Sequence, residues 1–295
     1  MSKHEAGDRA DSQFEMSDLC PDDPSPWVSP DGTFMKTVLV QGTGVEKPKE
    51  GSLCHVHLDL EAGGAPAGEG AFRCATGEWT ELTLGEGDVP WDAVLDQCLE
   101  TMLDGEVCRV RACPTRYSPG CAFTLGLAGF TPGRDSWEMT FEEKWSLALR
   151  DKERGTQSFR QGNAWGAARR YGRALRLLVS VATAVPPEVG EEYGRTKMAL
   201  HANLAACQLR LGQHENAAHN CDKALEREPC AVKALYRRAV AHAALNELEK
   251  AGVDLQEVLR LEPGNAAARR ELRRLAEKAR ERDTEMAKKM RKLFV

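Results

Sequence analysis

The stretch VKALYRRAVAHAAL, starting at Val232, places Lys233 and Arg237 one helical turn apart among alanines and leucines. Two cations on one helix face can hold a carboxylate, the lysine as a point charge and the arginine as a planar two-pronged donor. Lys152, with Thr156 one turn further on, and Asn203 in LHANLAACQLRLG would add a third cation, a hydroxyl and an amide. Arg238 projects about 100° round the helix from Arg237 and is expected to be an ordinary surface charge. Two other groups have ligand chemistry: His55 and His57, and Cys54 with Cys108 and Cys113. A structural zinc site needs four convergent ligands and usually a CxxC hairpin. None of the ten cysteines has that spacing and no third ligand joins the histidines, so surface histidines are expected, with no metal and no cofactor. The cysteines are scattered and no apolar signal stretch opens the sequence, which predicts free, buried thiols.

The elements that carry these residues fall into two kinds. From DGTFMKTVLVQGTG to about Thr131 the pattern is β-rich: in SLCHVHLDL, Val56, Leu58 and Leu60 alternate with His55, His57 and Asp59, one buried face and one polar. Further strands are expected in GEVCRVRAC and AFTLGLAGF. One amphipathic helix interrupts them, its stripe formed by Trp91, Val94, Leu95, Cys98, Leu99 and Met102. Strands with one packed helix make an α+β domain.

Beyond GRDSWEM, Thr140 and Glu143 form a capping box and helical patterns run almost to Val295. Ala217 and Ala251, Cys221 and Leu255, Ala224 and Val258, and Pro229 and Pro263 are each 34 residues apart. That is the period of the tetratricopeptide repeat, a helix hairpin that stacks into a solenoid. An earlier copy, with Ala167, Tyr171 and Ala174, precedes the next by 50 residues, the excess falling around TAVPPEVGEEYG. The expected organisation is an acidic disordered leader at 1–26, a domain at 27–135, a connecting helix start at 136–147, repeats at 148–181, 198–231 and 232–265, and a capping helix at 266–295. In such a stack the first helix of each repeat lines the concave face, which puts Lys152, Thr156, Asn203, Lys233 and Arg237 on one groove. Three cations and an amide suit a peptide rich in carboxylates, above all a free C-terminus.

Hydrophobic residues make up 42% and charged residues 29% of the chain, a soluble balance. No apolar run approaches the roughly 20 residues of a membrane span, so no membrane partner is expected, and the compartment is expected to be cytoplasmic or also nuclear. Residues 1–26 hold seven acids against Lys3 and Arg9, while residues 266–295 hold eleven Lys and Arg against five acids. The basic end alternates in sign and lacks interleaved aromatics, which argues for a solvated helix face rather than nucleic-acid binding.

The repeat stretches FTPGRDSWEM, KERGTQSF, HANLAACQLRLGQHENAAHNCDKALE and KALYRRAVAHAAL resemble the C-terminal half of the large immunophilins, the tacrolimus-binding cochaperones. MKTVLVQGTGVEKPKEGSLCHVHL, LTLGEG and the helix before DGEVCRV resemble a degraded form of their peptidyl-prolyl isomerase domain, FKBP-like in fold. The resemblance implies that the groove is a carboxylate clamp for the acidic C-terminal tail of heat-shock protein 90. The clamp lysine of the first repeat falls on Lys152, the asparagine of the second on Asn203, and the lysine and arginine of the third on Lys233 and Arg237. At Thr156 many clamp proteins have asparagine, though some immunophilins also have threonine.

For the N-terminal domain the resemblance implies lost catalysis. A His-Tyr of the family reads His57-Leu58 here, a Phe-Asp pair reads Phe72-Arg73, the tryptophan floor of the helix falls near Leu95 with Trp91 one turn earlier, and a long loop shrinks to PTRYSPGC. The expectation is a non-catalytic cochaperone that joins the chaperone to client proteins. The alternatives are an active prolyl isomerase with a new pocket built from Tyr117, Trp79 and Trp91, and a repeat scaffold for another acidic partner.

Overall fold

The computed structural model describes residues 26–61, 72–113 and 120–293. The leader up to Ser25, Cys20, Tyr117 and most of PTRYSPGC lie outside the described residues. Two compact units divide the chain, residues 1–84 with 94–132, and residues 85–93 with 133–295.

The first unit is an antiparallel six-stranded sheet in the order β1-β2-β5-β6-β3-β4. Its strands are β1 (Trp27–Val28), β2 (Phe34–Val40), β3 (Leu53–Leu60), β4 (Trp79–Thr83), β5 (Val107–Ala112) and β6 (Cys121–Thr131). The alternation read in β3 is the alternation found: Cys54, Val56 and Leu58 are buried, and across the ladder Val56 faces Leu127 and Leu58 faces Leu125. Pairing carries this order along the sheet, since Leu125 in turn faces Cys108 and Phe123 faces Val110. Helix α1 (Pro90–Leu99) buries every residue of its expected stripe, and Cys98 Sγ lies 3.8 Å from Cys108 Sγ on β5. β1 and β4 escape a reading of the sequence because they are short; in WTELT only Leu82 is buried. A charged pair lies buried in this unit: Lys36 Nζ is 2.5 Å from Glu106 Oε1 and donates to Thr101 Oγ1 at 3.0 Å.

The second unit is a run of helix hairpins. Its helices are α2 (Phe141–Arg160), α3 (Ala164–Ser180), α4 (Gly190–Arg210), α5 (His214–Leu225), α6 (Val232–Ala244), α7 (Leu248–Leu261) and α8 (Ala266–Leu293). The Thr140 capping box closes as expected: Glu143 N donates to Thr140 Oγ1 at 3.3 Å and Thr140 N to Glu143 Oε2 at 2.9 Å. Each hairpin turns through a residue of positive φ, Gly162, Gly212 and Asn246, at the 50- and 34-residue offsets of the repeat. Such a left-handed residue ends a helix by freeing the next N–H for the last carbonyls. The excess residues before the second repeat are not a plain loop. They form a short 3₁₀ turn at Pro187–Val189, and they lengthen α4 at its start.

Within the hairpins the buried positions are small: Ala167, Ala174, Ala217, Ala224 and Ala251 are fully buried. At Gly155 of α2 an added Cβ would lie 2.9 Å from Tyr171 Cε1, so a side chain there would force α2 and α3 apart. α8 covers the third repeat with its first half, through Ala268 and Leu275 in the same apolar cluster as Leu255 and Val258.

Residues 85–93 belong to the helical unit rather than to the sheet unit, where a continuous 27–135 domain would put them. The cause is Arg170 of α3, 1% exposed, which reaches Glu86 Oε2 at 3.0 Å, Asp88 Oδ1 at 2.6 Å and Asp151 Oδ1 at 3.3 Å. Arg173 donates to the Gly85 carbonyl at 3.2 Å, and Asn163 Nδ2 to the Asp88 carbonyl at 2.8 Å. Burial alone would raise the Glu86 pKa, but Arg173 and Arg170 outweigh it and hold the carboxyl at about 2, against an ordinary 4.5. A depressed folded-state pKa contributes stability above the unfolded value and loses it as pH falls from about 4.5 to about 2. Glu86→Gln should therefore lower stability at pH 7 and flatten the acid limb across that window in denaturant titrations. Arg170→Met, which removes one of the two arginines beside the buried Asp151 carboxylate and the link from α3 to Glu86 and Asp88, should cost about 3 kcal/mol in the same titrations.

Candidate peptide-binding groove

The candidate residues sit on the leading helix of each hairpin: Lys152 and Thr156 on α2, Asn203 on α4, Lys233 and Arg237 on α6. Arg237 ties two of these helices together, because its Nη1 donates to the Ala202 carbonyl of α4 at 2.6 Å, beside Asn203. Its guanidinium also lies within electrostatic range of Cys221, Cys207 and Tyr171, and burial pushes its pKa down. Thr156 is engaged in a similar way. Its hydroxyl donates to the Lys152 carbonyl at 2.9 Å, so its contact with Tyr171 Oη at 3.0 Å is one in which Tyr171 donates. Tyr171 thus stands between the Thr156 and Arg237 ends of the set, a role that the sequence pattern hides because the same repeat position holds Cys221 and Leu255.

Lys152 and Asn203 are half-buried, and Lys233 is exposed. Among the described residues none of these three side chains has a hydrogen-bond or ion-pair partner, and Arg237 has no carboxylate partner. Nearby arginines differ. Arg150 pairs with Glu86 at 3.0 Å, Arg154 pairs with the same carboxylate, and Arg170 and Arg173 are held as described above.

Arg238 corrects the sequence reading. It is not an ordinary surface charge, because it grips Asp254 of α7 with Nε at 2.8 Å and Nη2 at 2.7 Å and reaches Asp222 of α5 at 2.7 Å. The missing signal was positional: both acids are 16 residues away, on helices whose faces the period alone does not orient.

The other sequence candidates stay apart from this groove. His55 and His57 flank the Trp79 ring at 5.0 and 5.2 Å on the polar side of the sheet. Among the described residues no three His, Cys, Asp or Glu side chains are grouped to hold a metal ion. No helix among them is long and apolar enough to cross a membrane. Seven described cysteines are free and buried, whereas Cys113 is partly exposed and Cys230 exposed.

An FKBP-like sheet unit joined to tetratricopeptide hairpins is the architecture of the large immunophilins. No family model matches the chain. It is 46% identical over 271 residues to the human protein named FK506-binding protein-like, covering 91% of this chain and 72% of that one. It is 33% identical over 261 residues to bovine peptidyl-prolyl cis-trans isomerase FKBP4, covering 82% of this chain and 54% of that one. The structure of the first repeat domain of Spaghetti (RPAP3), bound to the HSP90 peptide SRMEEVD, is 29% identical, with TM-score 0.38, over 46% of this chain and 94% of that one. The chain belongs to the FK506-binding protein-like family of immunophilins.

Burial pushes the Cys207 and Cys221 thiols beneath the groove up to about 12. At pH 8 only about one in ten thousand of such thiols is ionised, and the thiolate is the species that alkylates. Iodoacetamide at pH 8 should modify Cys230 in the native chain and leave Cys207 and Cys221 intact until denaturant is added, as read by peptide mass spectrometry.

Proposed function

We propose that the chain is a non-catalytic cochaperone that holds the acidic C-terminal tail of heat-shock protein 90 in the repeat groove while the sheet unit contacts client proteins. The supporting observation is a contrast in charge: Lys152, Asn203, Lys233 and Arg237 keep no carboxylate among the described residues, while Arg150, Arg154, Arg170, Arg173 and Arg238 on the same hairpins are ion-paired. Cations left without carboxylates on aligned helices can take up a peptide's carboxylates with no internal ion pair to break. In this role Lys152 and Lys233 supply charge to the tail, Thr156 contributes at the edge, Asn203 donates to the terminal carboxylate while accepting from the peptide backbone, and Arg237 clamps a side-chain carboxylate.

The reading of lost catalysis rests on the sheet unit. Prolyl isomerisation has a barrier of roughly 20 kcal/mol, and a dry aromatic pocket that favours the twisted amide lowers it. At the positions where the resemblance expects pocket aromatics stand Leu58 and Leu95, both fully buried in the core, and Arg73 is tied to Asp96. The second reading, an active isomerase tethered to the chaperone, has support from relatives named as isomerases. A protease-coupled proline-peptide assay on the full chain separates the two: turnover comparable to that of an active immunophilin contradicts the non-catalytic reading. The chaperone and its clients would be met in the cytoplasm and also in the nucleus.

In calorimetry with SRMEEVD, Lys233→Ala or Arg237→Ala should weaken binding more than tenfold, about 1.4 kcal/mol or more. Binding by the unaltered chain should weaken as salt rises, because the contacts are ionic. Affinity unchanged in both variants would remove the assignment.

A further inference from the structure

A cleft of about 700 Å³ opens in the second hairpin between α4 and α5, with Val179 of α3 in its lining. Its α4 wall begins with Gly190, Tyr193 and Gly194, in the stretch that lengthens that helix, and continues to Lys197 and His201. Its α5 wall carries His219, Lys223 and Arg227. His201 lies about 200° round α4 from Asn203, and none of the five groove residues lines the cleft, so the two are separate.

The cleft holds more cations than acids. The Lys197 and His219 side chains have no hydrogen-bond or ion-pair partner among the described residues. Lys223 pairs with Glu226 at 2.7 Å and Arg227 with Glu191 at 2.6 Å, both exposed pairs of the kind that exchange at little cost. Gly194 leaves the room that Arg227 uses, since an added Cβ would collide with the guanidinium carbon. The His201 ring is fixed by Nδ1 at 2.8 Å from Asn220 Oδ1. Burial, and then Lys197, Lys223 and His219, push its pKa down against the Asn220 bond, as a cationic neighbourhood does.

The first hairpin shows what such a surface can hold. Fifty residues before Gln213, His219, Asn220 and Lys223 it has Asn163, Arg169, Arg170 and Arg173. Those four side chains donate to successive carbonyls of one acidic segment. Arg173 takes Gly85 at 3.2 Å, Arg170 takes Glu86, Arg169 takes Gly87 at 3.1 Å and Asn163 takes Asp88 at 2.8 Å. The carboxylates of Glu86 and Asp88 are held by the same arginines. In the third hairpin, 34 residues beyond the second, the corresponding residues are Glu247, Val253, Asp254 and Glu257, which offer an acidic segment nothing. Nor does the third hairpin repeat the cleft's other cations, having Ala231 for Lys197 and Leu261 for Arg227. Donors therefore persist in the second hairpin where the repeat itself does not require them.

We propose that this cleft is a second peptide site, which takes an acidic internal segment of a partner protein with carboxylates two residues apart, as in Glu86-Gly87-Asp88. Lys197 and Lys223 meet the carboxylates, and His219 donates to the segment's backbone as Arg169 does to Gly87. Unlike the groove, the cleft needs no free C-terminus, so both sites can be filled at once.

The probe is the hexapeptide acetyl-LGEGDV-amide, the sequence of residues 84–89 with both ends blocked, added to the full chain at about 50 mM salt. NMR should show saturable shifts of the His201 and His219 rings and of the Lys197 and Lys223 amides, half complete below about 2 mM peptide. In the Lys197→Ala/Lys223→Ala chain the midpoint should rise about fivefold or more, while the affinity for SRMEEVD changes less than about twofold. Acetyl-LGQGNV-amide, which lacks the carboxylates, should give no saturable shift at about 5 mM. Shifts confined to α3 or to the groove residues, or no saturation by about 10 mM LGEGDV peptide, overturn the proposal. An equal loss of SRMEEVD affinity in the double variant also overturns it, since the cleft and the groove would then be one site. Inorganic phosphate that saturates the same signals at about a tenth of the peptide concentration overturns the peptide assignment in favour of a phosphoryl ligand.

Discussion

Close approach of paired helices is the constraint on which the helical unit depends. Two helices meet at short range only where one of them gives up its side chain, and the hairpins do so at Gly155 against the Tyr171 ring and at the buried alanines 167, 174, 217, 224 and 251. Because these small residues recur with the repeat, each hairpin closes in the same way, and each turn uses a left-handed residue at the same register, Gly162, Gly212 or Asn246. Consistent hairpins stack consistently. The leading helices α2, α4 and α6 then carry corresponding faces, which is how Arg237 comes to donate to the Ala202 carbonyl one helix away.

Electrostatics sets Arg237 apart from the embedded arginines of this scaffold. Arg170, Arg173 and Arg238 are embedded among carboxylates, and the pKa values of Arg170 and Arg238 are raised, burial opposing and the Asp88, Glu86, Asp254 and Asp222 partners favouring the charge. Arg237 has its pKa lowered by burial with no acid to compensate, a less comfortable charge whose nearest strong acceptor is a backbone carbonyl. A half-buried cation without an anion keeps part of its desolvation cost, and an incoming carboxylate relieves it.

Much of this was legible before any coordinates. The β3 alternation, the α1 stripe, the Thr140 cap and the 34-residue period each follow from local spacing, and each is found where the spacing puts it. What stayed hidden depends on partners distant in sequence. The segment 85–93 looks like part of a β-rich domain until Arg170, more than 80 positions later, is seen holding Glu86 and Asp88. Arg238 reads as a solvated charge until α5 and α7 bring Asp222 and Asp254 to it. β4 is too short to show a period, and Tyr171 is the odd residue at its repeat position, so neither announces itself. Of the groove, the residue types and their shared helix face were readable, whereas the hydrogen bonds of Thr156 and Arg237 were not.

Residue-resolved amide shifts of the chain, followed by NMR as SRMEEVD is added, test the groove assignment most directly. The account predicts that the largest changes cluster at Lys152, Thr156, Asn203, Lys233 and Arg237, with little change on α5, α7 or the sheet unit. Saturable shifts centred on α8 or on the sheet, with those five positions unmoved, would contradict it.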